Sequence, residues 1–224
     1  GDGDVVLLQA TRIGERKAIE FAVRTVAYMN DALRGYVGKR LYDGRTYTGG
    51  KPVFVLAGMD ESLGGGYFGR LQALMTEKDV TYRYIGNDVA YERQTAPVKK
   101  YSLFDTYTMC DAVTYPSVLE GWGNQLLEAM FARKPILYYE YPVFVTDLKA
   151  AGIRGISLGA EHTVGDGLLQ LEESVYERCA KQLTALLFDP DGYRRMVEDN
   201  FETASRCFSY DELRRKLAAL TEGA

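Results

Sequence analysis

The sequence contains few of the residues that build disulfides and metal sites, with 3 cysteines and 1 histidine among 224 residues. Cys110, Cys179 and Cys207 are odd in number, lie far apart and form no C-x-x-C pair. This spacing argues against a disulfide framework or a zinc site, and it favours buried thiols in a reducing compartment. His162 lies in a late polar segment, where nothing indicates a general base. We therefore expect no metal in the functional site.

The sequence also lacks a strong charge bias and a long apolar run. Its formal net charge is -4, which argues against nucleic acid as a partner, although a local cluster of cations can still bind a small phosphorylated ligand. No apolar run is long enough to span a bilayer, and no stretch resembles a signal peptide. We therefore expect a globular, cytoplasmic protein without a membrane span.

Short apolar runs alternate along the chain with stretches in which apolar residues recur at helical spacing. This alternation predicts an α/β fold, with one Rossmann-like, doubly wound parallel sheet. The predicted strands span residues 5–8, 52–57, 80–85, 112–115, 135–139 and 155–158. The predicted helices span residues 18–29, 67–76, 101–110, 143–150, 172–187 and 191–207, with two more that begin at 124 and 210. Residues 31–50 and 86–100 are predicted as polar surface loops, and residues 61–66 as a flexible connector.

One stretch, Asp111 to Met130, changes from a strand through a glycine-containing turn to the start of a helix. In an open α/β sheet, ligands bind where a strand ends and faces a helix N-terminus. The first N–H groups of a helix lack intrahelical partners and carry partial positive charge, while Gly121 and Gly123 allow a ligand to approach the backbone. The turn therefore predicts a phosphate site. The candidate amide donors belong to Gly123, Asn124, Gln125 and Leu126.

Two glutamates, Glu120 and Glu128, flank this turn. Glu128 lies one turn inside the helix, where its carboxylate can accept hydrogen bonds from a ribose diol. Glu120 lies on the turn and can reach hydroxyl groups beyond the phosphate. Either glutamate alone fits ordinary complementation of the helix dipole. Both together, around a Gly-x-Gly turn that directly follows a strand, favour a ligand site.

A second strand-to-helix corner carries the cations Arg12, Arg16 and Lys17. The helix dipole repels a cation at a helix N-terminus, so such residues are a poor choice for stability unless an anion binds there. Arginine offers a bidentate fork to phosphate oxygens, and lysine offers a point charge. We expect Arg16 to point to solvent.

Both corners resemble the retaining glycosyltransferases of the large family 4, which have the GT-B fold. Residues 120–130, E-G-W-G-N-Q-L-L-E-A-M, are similar to that family's E-x7-E signature, which typically begins E-G-F-G and ends L-E-A. The first loop is similar to the family's G-R-L-x-x-x-K-G, because Arg12 and Lys17 keep its spacing. Thr11 and Ala18 replace the two glycines of that pattern.

The resemblance implies that residues 1–224 form the C-terminal, nucleotide-sugar-binding half of such an enzyme, with the N-terminal acceptor domain outside this sequence. It implies transfer of a hexose from a UDP-, GDP- or ADP-sugar to an acceptor hydroxyl with retention of configuration, without a cofactor and usually without a metal. This fragment is then expected to be inactive alone. The T-R-I-x-x-R-K and T-Y-P-S segments resemble members that act on small acceptors, such as sucrose-phosphate synthase and the sugar-glycerate synthases.

The same resemblance assigns roles to individual residues. It implies that Arg12 and Lys17 contact the donor diphosphate, that Glu120 positions the sugar, and that Glu128 binds the ribose. In such domains the loop after the third strand often contacts the nucleobase, which makes Asn87 and its neighbours Asp88 and Val89 candidates.

Other functions remain open at this point. A sugar phosphorylase of the same fold would keep Arg12 and Lys17 but would have less need of a ribose-binding Glu128. A non-catalytic module would bind a nucleotide without turnover. A dehydrogenase is least expected, because no strand leads into G-x-G-x-x-G.

Overall fold

The computed structural model describes residues 3–62 and 66–222. The predicted connector at 61–66 therefore lies partly outside the described residues. The strands are β1 Val6–Gln9, β2 Val53–Leu56, β3 Thr81–Tyr84, β4 Val89–Ala90, β5 Tyr101–Ser102, β6 Ala112–Tyr115, β7 Ile136–Tyr138, β8 Ile156–Ser157, β9 Thr163–Gly165 and β10 Leu168–Gln170. The α-helices are α1 Ile19–Ala32, α2 Gly66–Glu77, α3 Leu103–Thr108, α4 Asn124–Phe131, α5 Glu173–Leu187, α6 Pro190–Phe208 and α7 Tyr210–Glu222. Glu15–Lys17 and Leu33–Tyr36 form 3₁₀ turns, and Phe144–Lys149 is π-helical.

The main sheet has six strands in the order β3-β2-β1-β6-β7-β8, and all its pairs are parallel. The order runs outward in both directions from the β1–β6 pair. Right-handed connections therefore place the helices that follow β1 and β6 on opposite faces of the sheet. This arrangement confirms the predicted doubly wound α/β fold, and its topological switch point lies between β1 and β6.

The central strands are apolar because helices cover both of their faces. Leu7 and Leu8 of β1 are buried, as is every residue of β6. On the helical layers, α1 packs against α2 and α5, while α4 packs against α6. The buried stripe of α1 follows the helical period, which explains why the sequence predicted this helix well.

Asp111 ties β1 to β6 at the amino end of the sheet. Its carboxylate accepts a 2.7 Å bond from the Val6 amide and a 3.1 Å bond from the Tyr42 hydroxyl, and it pairs with Arg45. Burial raises the pKa of Asp111, and these donors oppose the rise. The buried carboxylate thus replaces its lost hydration with protein partners.

The helix predicted for residues 101–110 is wrong at its start. Residues Tyr101–Ser102 form β5, which pairs with β4 inside the segment predicted as a loop. The Ser102 hydroxyl accepts a 3.2 Å bond from the Asp105 amide, and the Asp105 carboxylate accepts a 2.9 Å bond from the Ser102 amide. This capping box fixes the first helical residue at Leu103.

Two strands that were not predicted follow the strand at residues 155–158, which was predicted to be the last. Strands β9 and β10 form an antiparallel hairpin. Asp166 and Gly167 form its turn, with φ values of 53° and 72°. An Asp-Gly pair is typical of a hairpin turn with positive φ at both positions, so the signal was present in the sequence.

Ala18 does not begin the first helix as predicted. It adopts φ 45° and ψ 43° between the 3₁₀ turn and α1, which starts at Ile19. Glycine takes this left-handed conformation more easily than other residues. The family pattern has glycine at this position, a residue that suits the left-handed conformation that Ala18 adopts here.

Within residues 3–62 and 66–222, no helix combines the length and apolarity needed to cross a bilayer. In the same ranges, no three side chains of the metal-binding types converge on a point that could hold an ion. Cys110, Cys179 and Cys207 are free thiols.

Gly58, directly after β2, supports the loop after β1. A Cβ atom on Gly58 would overlap the carbonyl group of Thr11. We predict that Gly58→Ala destabilises the chain by about 1–3 kcal/mol, as overpacking does elsewhere. Gly69→Ala, at an exposed position of α2 with open space around it, should stabilise by up to about 1 kcal/mol. Urea unfolding of both variants checks this, and a Gly58→Ala variant as stable as the parent chain would contradict it.

Candidate functional site

The loops after β1 and β6 meet at the switch point of the sheet. The Val118 amide donates a 3.0 Å bond to the carbonyl of Arg16, so the two loops are joined through their backbones. Adjacent parallel strands whose connections leave for opposite faces create a crevice at their carboxyl ends. The candidate site lies in this crevice.

Glu120 lies at the centre of the crevice, between two cations from the other loop. Lys17 Nζ bonds Glu120 Oε1, and Arg16 Nη1 donates to Glu120 Oε2 at 2.9 Å and to the Leu119 carbonyl at 3.3 Å. The side chains of Lys17 and Glu120 are only 5% and 9% exposed. Half of the Arg16 side chain is exposed, in keeping with the prediction that it points to solvent, but its guanidinium is also paired with Glu120, which was not predicted.

Burial acts in opposite directions on the two members of the Lys17–Glu120 pair. It lowers the pKa of Lys17, and the hydrogen bond and charge of Glu120 offset this only in part. Burial also pushes the pKa of Glu120 upward, but the hydrogen bond and charge of Lys17 outweigh it and hold that pKa below its ordinary value. The carboxylate is thus stabilised in its ionised form by the cations around it.

Arg12 belongs to the same cluster through Glu61, which follows β2. Arg12 Nη1 bonds Glu61 Oε1. The charge of Glu61 also acts on the pKa of Lys17, which places Glu61 near both cations. Sequence reasoning missed Glu61. It could have been found, because the carboxyl ends of β1 and β2 lie at the same edge of a parallel sheet.

Thr11, where the family pattern has glycine, fixes the backbone in front of Arg12. Its buried hydroxyl accepts a 2.6 Å bond from Gln9 Nε2 and donates to the Arg12 carbonyl at 3.2 Å. Gln9 in turn accepts a bond from the Thr114 hydroxyl on β6. A buried polar chain therefore links β6 to the loop that carries the cations.

Gly123, in the turn before α4, is required by packing against the chain's own Tyr141, and the approach of a ligand to Gly121 and Gly123 stays a prediction. Gly123 is the N-cap of α4 with φ 117°, and a Cβ atom there would overlap the Tyr141 hydroxyl. Gly121 is exposed, with open space around it. The Leu126 amide donates to the Gly123 carbonyl at 3.0 Å, which weakens its candidacy as a phosphate donor. Helix geometry leaves the amides before it, up to that of Gln125, for a ligand.

Glu128, on α4, is held by a side chain of α3. The buried Tyr107 hydroxyl donates a 2.8 Å bond to Glu128 Oε2. Burial raises the pKa of Glu128, and the bond from Tyr107 opposes the rise. The sequence alone offered no sign of this partner, because tyrosine at that position also fits an ordinary core helix.

An open pocket of about 1010 Å³ adjoins Glu128. Most of its lining is aromatic or aliphatic, and Asn124 also faces it. Asn87 lies in the exposed turn after β3 and Val89 in β4, and neither lines this pocket. The aromatic side chains of the lining are Tyr91, Phe104, Tyr107, Trp122, Phe131, Phe208 and Tyr210.

Comparisons with known proteins agree with this architecture. No protein-family model matches the sequence. The chain is 38% identical to mannosylglucosylglycerate synthase of Thermotoga maritima over an alignment of 212 residues. This alignment covers 94% of the chain and 47% of that enzyme. The chain thus spans about half the length of the curated relatives it matches.

Solved structures share the fold at low sequence identity. Anabaena HepE, solved in complex with UDP and glucose, superposes with a TM-score of 0.63 at 15% identity over 99% of this chain and 49% of HepE. The C-terminal domain of the group 1 glycosyltransferase LpcC from Francisella tularensis gives a TM-score of 0.58 at 15% identity, over 92% of this chain and 87% of that one.

The chain therefore has the fold of the GT-B glycosyltransferases, and it superposes on the C-terminal domain of a group 1 member. Its sequence is similar to mannosylglucosylglycerate synthase.

Removing the charge of Glu120 tests the cluster. We predict that Glu120→Gln destabilises the chain by about 3 kcal/mol at pH 7, because it leaves a buried lysine without its counterion. The pKa of Glu120 is depressed in the folded state from an ordinary value of 4.5, so its stabilising contribution is present above pH 4.5 and is lost as the pH falls through the folded-state pKa. The difference between parent and variant should therefore shrink on acidification. Urea unfolding between pH 7 and pH 3 measures it, and a difference that stays constant with pH would argue against the pair.

Proposed function

We propose that the chain is the donor-binding half of a retaining glycosyltransferase, which transfers a hexose from a nucleotide-diphosphate sugar to a hydroxyl group of a small-molecule acceptor. The observation that carries the proposal is the cluster at the switch point. There Lys17, Arg16 and Glu120 meet beside the N-terminus of α4.

Such a cluster suits a reaction in which negative charge develops on a departing diphosphate. The bond between the anomeric carbon and the diphosphate oxygen breaks, the acceptor oxygen bonds to that carbon, and the acceptor proton is released. Arg12 and Lys17 would stabilise the charge on the leaving group together with the first amides of α4. Glu120 would accept hydrogen bonds from hydroxyl groups of the sugar. In this scheme the two cations stabilise the diphosphate charge, a role that a metal ion fills in other enzymes.

Glu128 and the adjoining pocket supply a place for the nucleoside. A carboxylate acceptor beside an open, largely apolar pocket of about 1010 Å³ suits a ribose diol and a base. Asn87 and Val89 remain proposed base contacts on the resemblance alone, because neither lines this pocket, whereas Tyr91 and Phe104 do. The pocket beside Glu128 can hold a nucleoside, which inorganic phosphate lacks, so it favours a nucleotide-sugar donor over the phosphate used by a phosphorylase.

The acceptor and the second domain are also proposals. The product named for the Thermotoga maritima relative is a small glycosylated glycerate, which supports a small-molecule acceptor. An N-terminal acceptor domain would complete the cleft, so we expect residues 1–224 alone to bind the donor without turnover. A cytoplasmic location is supported by the free thiols of Cys110, Cys179 and Cys207.

A thermal-shift panel with UDP, GDP, ADP and their sugars tests the donor assignment. A ligand at a hundred times its Kd adds about 2.7 kcal/mol, which should raise the Tm by roughly 5–10 °C. We expect a shift with the nucleotides of one base. A shift with inorganic phosphate but with no nucleotide would favour the phosphorylase, and no shift at all would refute donor binding by this chain.

Glu128→Gln tests the ribose contact, because glutamine keeps an acceptor for Tyr107 and nearly the same volume. We predict about tenfold weaker nucleotide binding at pH 8, since hydrogen bonds to a charged group contribute about 1.5–3 kcal/mol. Burial raises the pKa of Glu128, so binding to the parent chain should weaken on acidification at a higher pH than for an ordinary glutamate. The gap between parent and variant should then close.

Calorimetry with the nucleotide found by the panel measures the effect of Glu128→Gln. The matched control is Glu177→Gln on α5, which removes an exposed carboxylate paired with Lys181 and should bind like the parent chain. Equal affinities for Glu128→Gln and its control would exclude the ribose role.

The double variant Arg12→Gln/Lys17→Gln tests the diphosphate contact. We predict about 10- to 100-fold weaker binding and a weaker dependence of affinity on salt, because fewer charges remain for ions to screen. Lys51→Gln/Lys181→Gln is the control, since both lysines are exposed and pair with other residues. If the double variant keeps the salt dependence of the parent chain, the phosphate assignment fails.

A further inference from the structure

Two buried hydroxyl groups in the crevice have no hydrogen-bond partner among the described residues. They belong to Tyr115, the last residue of β6, and to Ser117, two positions later. Both residues are 0% exposed. A buried polar group without a partner costs stability, so its retention needs a physical explanation.

Tyr115 differs in this respect from three other buried tyrosines. The hydroxyl of Tyr107 donates to Glu128, that of Tyr141 donates to the Trp122 carbonyl at 2.7 Å, and that of Tyr193 donates to the Asp111 carbonyl at 3.1 Å. Among the buried hydroxyls of the described residues that lack a partner, those of Tyr115 and Ser117 lie in the candidate site, and that of Thr184 lies on α5.

The geometry places both hydroxyls beneath Glu120. A Cβ atom on Gly123 would lie 3.3 Å from the Tyr115 hydroxyl, which puts that hydroxyl under the turn before α4. Lys17 Nζ lies 6.0 Å from the centroid of the Tyr115 ring. Beyond the effect of burial, both hydroxyls lie close enough to Glu120 for hydrogen bonding to raise the pKa of Tyr115 and to lower that of Glu120, although neither hydroxyl makes a hydrogen bond of normal geometry.

We propose that Tyr115 is a positioning residue for Glu120, with Ser117 as a second donor: their hydroxyls bond the Glu120 carboxylate when a bound diphosphate draws Lys17 and Arg16 away from it. This inference rests on the proposed function, because it requires a diphosphate in the crevice.

The energetics favour such an exchange of partners. Lys17 and Arg16 satisfy Glu120 in the described structure, and a diphosphate would compete with the carboxylate for the same cations. Glu120 is nearly buried, so it would lose both partners in a place that water hardly reaches. Two hydroxyl donors beneath it would keep the carboxylate ionised and oriented towards the sugar. In this proposal the hydroxyls of Tyr115 and Ser117 lack partners before the ligand binds and gain the Glu120 carboxylate as a partner afterwards.

The test compares Tyr115→Phe with Tyr193→Phe, since each removes one oxygen from a buried tyrosine on the same fold. Urea unfolding gives the stability of the ligand-free chain. Calorimetry with sodium pyrophosphate, and with UDP-glucose, GDP-mannose and ADP-glucose, gives affinity between pH 8 and pH 3.5. Ser117→Ala provides a second variant in the site.

We expect Tyr115→Phe to unfold at the same or a higher urea concentration than the parent chain, yet to bind its ligand about tenfold more weakly at pH 8. The deficit should stay constant while Glu120 is ionised and should narrow only as the pH falls below 4.5, because the pKa of Glu120 is held below that ordinary value and a protonated Glu120 needs no donor. Ser117→Ala should show a smaller deficit with the same pH trend. Tyr193→Phe should lose stability and keep its affinity.

The outcomes separate this inference from the proposed function. If the parent chain binds but Tyr115→Phe binds equally well, the positioning role is overturned while donor binding stands. A loss of stability with a deficit in affinity that does not change with pH would show a merely structural tyrosine and would also overturn it. If the parent chain binds none of the four ligands, the proposed function fails and this inference fails with it.

Discussion

The parallel pairing of β1 with β6 is the constraint on which the other features depend. It is short, joining Leu7 to Ala112 and Leu8 to Val113, yet it places two loops side by side that are about a hundred residues apart in the chain. Without this pairing the cations and Glu120 would have no common location. Apolar burial stabilises the β1–β6 strand pair, and ion pairs stabilise the site at its carboxyl end.

The second theme is compensation of charge in a place that water hardly reaches. Two cations surround Glu120, another pairs with Glu61, and the buried members would be costly if left alone. Each of these three ion pairs joins side chains from different strand-end loops, so the cluster also orders those loops relative to one another. The carboxylates hold the cations in place, and in our proposal a bound diphosphate competes with them for the same cations.

The sequence predicted what local signals control. The strand, turn and helix around Glu120 follow from a change of apolar period and from glycine, both visible within twenty residues. The partner of Arg16 was not predictable, because Glu120 lies 104 residues away and only the strand order brings the two together. The start of α3 was predicted wrongly because residues 101 and 102 also fit a helix in the sequence, whereas Ser102 is in fact the N-cap that precedes it. The missing partners of Tyr115 could not be anticipated, since a tyrosine in a buried strand normally finds one.

The sheet keeps its two ends chemically separate. At the amino end, Asp111 collects Val6, Tyr42 and Arg45 into a network that fastens the central strands. At the carboxyl end, the charged loops face the crevice. The length of the central strands separates the two networks. Substitutions near Asp111 can therefore change the stability of the fold, while substitutions in the charged loops can change the chemistry of the crevice. A lineage could therefore change the ligand preference of such a domain without first rebuilding its scaffold.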